Sequence, residues 1–481
     1  MTRSRWLICL LSGLLPAAPI RSSEPPQAAA AVADAITLLD LWLDEQLVYH
    51  QIPGLAIGVV YGQELIWAKG YGMSDLDAGV PMTPSTLFRI GSVTKVFTAT
   101  AILQLRDAGK LELTDPISEH LSGFSVHDPF ADAPPITVWN LLTHTSGLPR
   151  EAAVPYWTDH VFPDRDGLLA AAATQTLLFP PGTRYHYSNL GVSLLGAIIE
   201  EVSGERYPDY IEAHILTPLG MTRSLVDPDT GTVDEQLATA YMRRQPDGSR
   251  QIMQYYETRG MAAMGSIVSS VEDMARFAAL NLQAGVSTAD AAVLSTATLN
   301  EMHRPQWVYP DWSGAMGLGF RIAPRDGVDT VSHGGWIGDH RTHLLLVPSS
   351  RVGVIAMVNA GDVNPYTFSY EALDLIGRAV AGSAGSTRAP VEANPAWQRY
   401  VGLYSDPWGW QTRVLILGGQ IVLYAYDYPP ADSAEAGVTR LEHVEGDTFR
   451  RDEGELVVFE MGPEDRVERI KDRSNYLYPV E

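Results

Sequence analysis

Along the chain, apolar residues fall into helix-like and strand-like spacings that can be told apart by eye. A helix is predicted from Ile36 to Tyr49. The run GLAIGVVYGQELIWAKGYG reads next as two short strands around a turn at Tyr61-Gly62. From Ser92 onward, Phe97, Ala101, Leu103, Leu105 and Leu111 supply the apolar content of a second helix, which Asp107-Ala108-Gly109 closes. Residues 190–203, 271–284 and 366–381 have the same helical character. Between residues 329 and 359 three runs, TVSHGGW, RTHLLLVP and VGVIAMVN, read as strands. The turn PSSR joins the last two as an antiparallel hairpin.

The pattern changes near residue 382. The stretch GSAGSTRAPVEANP has the glycine, serine and proline content of a linker. After it come short alternating runs separated by turn residues: TRVLIL, QIVLYAY, LVVFEM, RVERIK and YLYPV. They predict a small all-β domain over residues 397–481, behind a linker at 383–396 and a larger domain at 35–382. At about one domain per 150 residues, a chain of 481 residues fits this division.

The N-terminus brings in a different signal. Arg3 and Arg5 precede an apolar run from Trp6 to Leu15, followed by small residues. This is the layout of a secretory signal peptide, expected at residues 1–22, and the run is shorter than the ~20 residues a membrane span needs. A low-complexity spacer, SSEPPQAAAAVAD, is expected over residues 23–34. The expected location is therefore periplasmic or extracellular, with no stable membrane span after processing. Cys9, the single cysteine, lies in the signal segment, so the remainder has no thiol for disulfides, nucleophilic catalysis or metal binding. A net charge of −23 argues against nucleic acid or an anionic membrane as partner.

The candidate chemistry starts from lysine. Lys69, Lys95, Lys110 and Lys471 are the only four in the chain, and Lys95 follows Ser92 by three residues at the start of a predicted helix. Residues i and i+3 share a helix face. A buried, neutral amine at that spacing can take the proton of a serine hydroxyl and make it a nucleophile. The second element is Tyr187-Ser188-Asn189, the only Tyr-x-Asn in the chain. Its phenol can relay a proton to a leaving group, and its amide can hold a substrate carbonyl. The third is His333-Gly334-Gly335, where glycines in a strand admit close approach of a substrate backbone. An N–H of that strand, with the N–H of Ser92, would form an oxyanion hole. Singly, each element has a structural reading: a capping serine beside a surface lysine, a polar turn before a helix, a buried structural histidine.

Together, and in this order, the three elements resemble the Ser-x-x-Lys, Ser-Asp-Asn and Lys-Thr-Gly set of β-lactamases and penicillin-binding proteins. The contexts FRIGSVTKVFTA and LLTHTSGLP are similar to those of the class C β-lactamase-like serine hydrolases. That family includes β-lactamases, D-alanyl-D-alanine carboxypeptidases, D-aminopeptidases and carboxylesterases. The resemblance spans roughly residues 40–380. It implies an α+β transpeptidase fold, with an antiparallel sheet flanked by helices plus a helical subdomain, and a cleft between them. The domain after residue 395 resembles the lipocalin-like C-terminal domains of some peptidase-like members. The resemblance further implies Ser92 as the acylated nucleophile, Lys95 as its base and Tyr187 as the general acid or base. Asn189, His333, Gly334 and Gly335 would bind substrate, and the N–H groups of Ser92 and Trp336 would bind the oxyanion. No metal or organic cofactor is implied.

Two departures shape the expected activity. His333 stands where the family has lysine and Gly334 where it has threonine, which removes a fixed charge and a hydroxyl. Both weaken a β-lactamase reading and favour small acyl esters or D-amino-acid peptides as substrates, with Arg341 a candidate for the missing charge. The alternatives are hydrolysis of β-lactams and a penicillin-binding sensor or scaffold that does not turn over. No Gly-x-Ser-x-Gly, P-loop or HExxH motif is present. His340 and His343 read as strand or loop histidines, and Trp408 and Trp410 as packing residues of the β-domain.

Overall fold

Four consecutive alanines, Ala28 to Ala31, begin the first helix, α1 (Pro26–His50), in this computed structural model. The structure describes residues 26–130, 132–233, 237–283, 293–383 and 393–480. The expected signal segment at 1–22 lies outside them, as does most of the expected linker. Residues 26–34, expected as a spacer, are the opening turns of α1. Alanine has the highest helix propensity, and a proline at the first helical position leaves no N–H to satisfy. Among the described residues no helix is long and apolar enough to cross a membrane.

After α1 come β1 (Gly54–Tyr61), β2 (Glu64–Asp75) and α2 (Thr94–Asp107). Helix α3 (Asn189–Ser203) and helix α4 (Val271–Asn281) follow. Next are β3 (Arg321–Arg325), β4 (Val328–Ile337), β5 (His340–Val347), β6 (Val352–Val358) and α5 (Pro365–Ala372). The strands form a nine-stranded sheet in the order Val80–Pro81, β2, β1, β6, β5, β4, β3, Ala315–Met316, Trp307–Val308. Neighbouring strands from β2 to β3 are antiparallel. Every residue of β6 is buried, because helices cover both faces. Val354, Ala356 and Val358 pack with Trp42 of α1 and Phe368 of α5, while Ile355 and Met357 pack with Phe97 of α2 and Phe277 of α4. The expected sheet, flanked by helices, is thus the observed one.

The C-terminal segment is a closed eight-stranded barrel: β7 (Gly402–Ser405), β8 (Gln411–Leu417), β9 (Gln420–Tyr426), β10 (Val438–Glu445), β11 (Thr448–Arg450), β12 (Leu456–Met461), β13 (Val467–Asp472) and β14 (Asn475–Pro479). Strands β7, β10 and β11 have no counterpart among the runs read from sequence. The first and third are short, and β10 is mostly solvent-facing, so each lacks an apolar run. Ile421 and Leu423 fill the barrel with Tyr400, Phe449 and Phe459. Their alternates Val422 and Tyr424 point outward onto Trp42 of α1. Trp42 Nε1 donates to Ala431 O at 2.8 Å, and the Tyr424 hydroxyl donates to Glu45 at 2.9 Å. Asp34 and Glu371 accept from the backbone N–H groups of Gly418 and Ala434. Trp408 and Trp410, expected to pack within this domain, are exposed on a turn whose N–H groups Asp406 holds.

Candidate active site

A single 3-10 turn, Gly91–Val93, carries Ser92 into the start of α2. Gly91 has φ of +53°, and a Cβ there would stand 2.6 Å from Trp336 N. Across the gap, a Cβ on Gly335 would stand 1.9 Å from Ile90 O and 3.3 Å from Ser92 N. The turn and β4 therefore meet backbone to backbone, which only glycine on each side permits. This meeting brings the expected oxyanion donors, the N–H groups of Ser92 and Trp336, to one place. The ladder between β3 and β4 ends at Ser332, so β4 from His333 onward has no partner on that side. Gly335→Ala is expected to push β4 away from Ile90 and lower kcat/KM about 10²-fold, the scale of a 1 Å misplacement. Steady-state kinetics beside an unchanged far-UV circular dichroism spectrum checks this.

Lys95 is buried one turn along α2. Its Nζ lies 3.2 Å from Ser92 Oγ and donates to Met264 O at 2.6 Å. Burial pulls its pKa down to about 7, helped by the charge of Arg150 and opposed by that of Glu151. Tyr187 closes the other side of Ser92. Its ring stacks on His144 at 4.3 Å, and the Lys95 amine and Arg150 guanidinium lie 5.1 and 4.9 Å from its centroid. Burial raises the phenol's pKa, and interaction with the Ser92 side chain draws it partly back. His144 accepts the Ser188 N–H at Nδ1 and stays neutral, because burial and the Lys95 charge hold its pKa well below the usual range.

Ser188 caps α3 by accepting from Gly191 N at 2.9 Å, which turns Asn189 toward the site. Asn189 Nδ2 donates to Glu151 Oε1 at 2.7 Å, while its carbonyl oxygen is buried with no partner. The free end of this amide is an acceptor. His333 Nδ1 donates to Gly334 O at 2.8 Å, and burial pulls the ring's pKa down to about 4. His333 therefore carries no charge at neutral pH. Gly334 is filled from elsewhere: a Cβ there would stand 1.9 Å from the hydroxyl oxygen of Tyr366, on α5. The phenol of Tyr366, stacked on His343 at 3.8 Å, occupies the space a side chain at 334 would take.

Two lobes open from Ser92, sharing Ser92, Arg150 and Trp336. The larger, about 850 Å³, is lined by Tyr185, Tyr309, Arg321, His333, Arg341 and Tyr366 among others. The smaller, about 420 Å³, has Glu151, Trp157, Met253, Tyr256 and Asp339 in its wall. The cations of the larger lobe flank β4 by strand pairing, with Ser332 opposite Arg321 and Trp336 opposite Arg341. Arg341 is half-buried with its guanidinium 5.2 Å from the Trp336 ring centroid. The structure thus gathers Ser92, Lys95, Tyr187, Asn189, His333, Gly334, Gly335 and Trp336 around one cleft. Arg150, Glu151, Arg321, Tyr366 and His144 join them without having been read as site residues. Only His144, inside LLTHTSGLP, and Arg150, right after it, had a motif nearby. Among the described residues no group of three or more His, Cys, Asp or Glu side chains could hold a metal ion.

Residues 39–377 match the Beta-lactamase family. The chain is 30% identical over 358 residues to penicillin-binding protein 4 of Amycolatopsis lactamdurans, covering 73% of this chain and 91% of that protein. Among solved structures it is similar to the octameric penicillin-binding protein homologue from Pyrococcus abyssi, with a TM-score of 0.65, 26% identity and coverage of 92% and 99% of the two chains. A D-stereospecific amidohydrolase from Streptomyces sp. is similar at a TM-score of 0.57 and 25% identity, over 70% of this chain and 97% of that one.

Proposed function

The chain belongs to the beta-lactamase family, whose fold is that of serine hydrolases, and from that premise we propose that it hydrolyses ester or amide substrates through an acyl-enzyme at Ser92. The observation that carries this reading is the buried Lys95 amine, with a pKa near 7, at 3.2 Å from Ser92 Oγ. A half-neutral amine at physiological pH is a base matched to its task.

In the proposed reaction the scissile carbonyl lies along the unpaired edge of β4 with its oxygen toward the N–H groups of Ser92 and Trp336. Lys95 takes the Ser92 proton as Oγ forms the new C–O bond. Tyr187, kept a neutral phenol by its raised pKa, hands a proton to the departing oxygen or nitrogen and is reprotonated from Lys95. Water then attacks the acyl carbon, Lys95 again takes the proton, and Ser92 leaves with it. The Asn189 carbonyl is the acceptor for a substrate N–H. Mass spectrometry after a brief reaction with a fluorophosphonate is expected to place one covalent adduct on Ser92. Labelling elsewhere, or none, defeats the reading.

Within ester and amide substrates, the proposal favours those carrying a carboxylate, D-amino-acid peptides foremost. Support comes from Arg321, Arg341 and the Tyr366 hydroxyl in the larger lobe, while His333 is uncharged. Charge-assisted hydrogen bonds contribute about 1.5–3 kcal/mol, or roughly 10- to 100-fold in kcat/KM. Arg341→Ala is expected to lose that factor on a D-alanyl peptide with a free carboxylate and to leave a neutral nitrophenyl ester nearly unchanged. Equal losses on both substrates would contradict the assignment. Export is part of the proposal, supported by the apolar segment behind Arg3 and Arg5, and N-terminal sequencing of the secreted protein tests it.

A further inference from the structure

Arg89 lies three residues before Ser92, on the short strand Phe88–Arg89 that pairs with Ile267–Ser269. It is 2% exposed, and none of Nε, Nη1 and Nη2 has a hydrogen-bond partner. Its guanidinium carbon sits 4.7 and 4.3 Å from the ring centroids of Tyr255 and Tyr256. Those faces attract a cation but accept none of its five N–H groups in plane. The Tyr256 hydroxyl is the polar side chain that interacts with it most directly. Asp227 is the carboxylate whose field Arg89 feels, but it is committed: Oδ1 accepts from Thr258 N and Oγ1, and Oδ2 from Arg259 N. No ion pair to Arg89 exists among the described residues.

A buried charge without a partner is costly, and an unsatisfied buried group in a native protein points to something that fills its place. Arg89 opens onto a cavity of about 140 Å³ walled by Leu237, Ala238, Met253, Tyr255 and Gly338. That space takes a small anion together with a water or two, at about 30 Å³ per water. The backbone of Arg89 is fixed independently, its N–H donating to His340 Nδ1 at 2.9 Å. The guanidinium is therefore held in place with its donors aimed into a closed space. We propose that this cavity is a binding site for a small monovalent anion, of halide or short-carboxylate size, with Arg89 as the recognising cation. It is separate from both lobes of the cleft, since Arg89 lines neither.

The site lies one residue before Ile90, whose carbonyl faces Gly335. An anion at Arg89 thus secures the strand that carries the nucleophile turn. The test uses the whole protein, purified in sodium gluconate, whose anion is too large for the cavity. Bromide or acetate is titrated in at constant ionic strength, and thermal unfolding is followed. The site predicts a saturable rise in Tm of about 3 °C or more. A response to bromide alone identifies a halide site, and a response to both, with acetate displacing bromide, a carboxylate-accepting one. Arg89→Met is expected to abolish the rise. Because that variant's own folding is at stake, anomalous scattering from bromide-soaked wild-type crystals provides an independent reading, with a peak within about 3.5 Å of the guanidinium. No peak there, or a Tm unmoved by both anions, overturns the proposal. None of these measurements depends on hydrolysis.

Discussion

Ser92→Ala is expected to reduce hydrolysis of a nitrophenyl ester or D-alanyl nitroanilide by at least about 10⁴-fold, while leaving Tm within a degree or two of the wild type. The size follows from the chemistry. Without Oγ there is no acyl-enzyme, and what survives is binding plus the oxyanion donors, a small residue of the full acceleration. The unchanged stability follows from packing. Ser92 is only half-buried on a 3-10 turn, and its hydroxyl holds no structural partner besides Lys95. Burst kinetics and differential scanning calorimetry on the same samples check both halves. Retained turnover would remove Ser92 from the reaction, and a large fall in Tm would make the kinetic loss uninformative.

Lys95→Met is the second large effect, expected at about 10⁴-fold, the upper end for a general base. Its pH behaviour distinguishes a base from a prop. The wild-type kcat/KM should rise about tenfold per pH unit below pH 7 and flatten above it, because only the neutral amine accepts the serine proton and its pKa is about 7. That ascending limb should vanish in the variant. Stability should respond as well. The folded amine titrates near 7 and the unfolded one near 10.5, so between these values the unfolded chain binds more protons. Stability attributable to this group therefore climbs from about pH 7 to about pH 10.5. Below pH 7 both states carry the proton, and folding bears the full cost of burying the charge. Denaturant unfolding at pH 7 and pH 9.5 should show wild type gaining on Lys95→Met. If the two proteins shift in parallel, the amine's pKa is not depressed and the base assignment fails.

Much of this site lies in local sequence, and the part that does not has an identifiable cause. Ser92 and Lys95 are one turn apart on one helix, so their meeting needs nothing but α2. The three strands that become β4, β5 and β6 stand out because burial on both faces leaves them unbroken apolar runs. Arg321 and Arg341 are hidden by strand register: they reach the cleft because β3 and β5 flank β4, a pairing only the folded sheet specifies. Tyr366 is further removed. It substitutes in space for a side chain missing at Gly334, far back along the chain, and no spacing rule couples the two. The barrel reads as fewer strands than it has because β10 faces solvent and β7 and β11 are short. The alanine-rich start of α1 passes for a spacer because low complexity and high helix propensity look alike on paper.

The seam between α1 and the barrel has a practical consequence for anyone hoping to pare this chain down to its hydrolase. Cutting after residue 393 would strip Val422 and Tyr424 from Trp42, and would leave Asp34, Glu45 and Glu371 facing water on an oily stripe. No barrel residue lines either lobe of the cleft, so a dead fragment would report clumping, not a lost gatekeeper. A free-standing catalytic unit can be had from this chain only after that stripe is repainted with polar side chains.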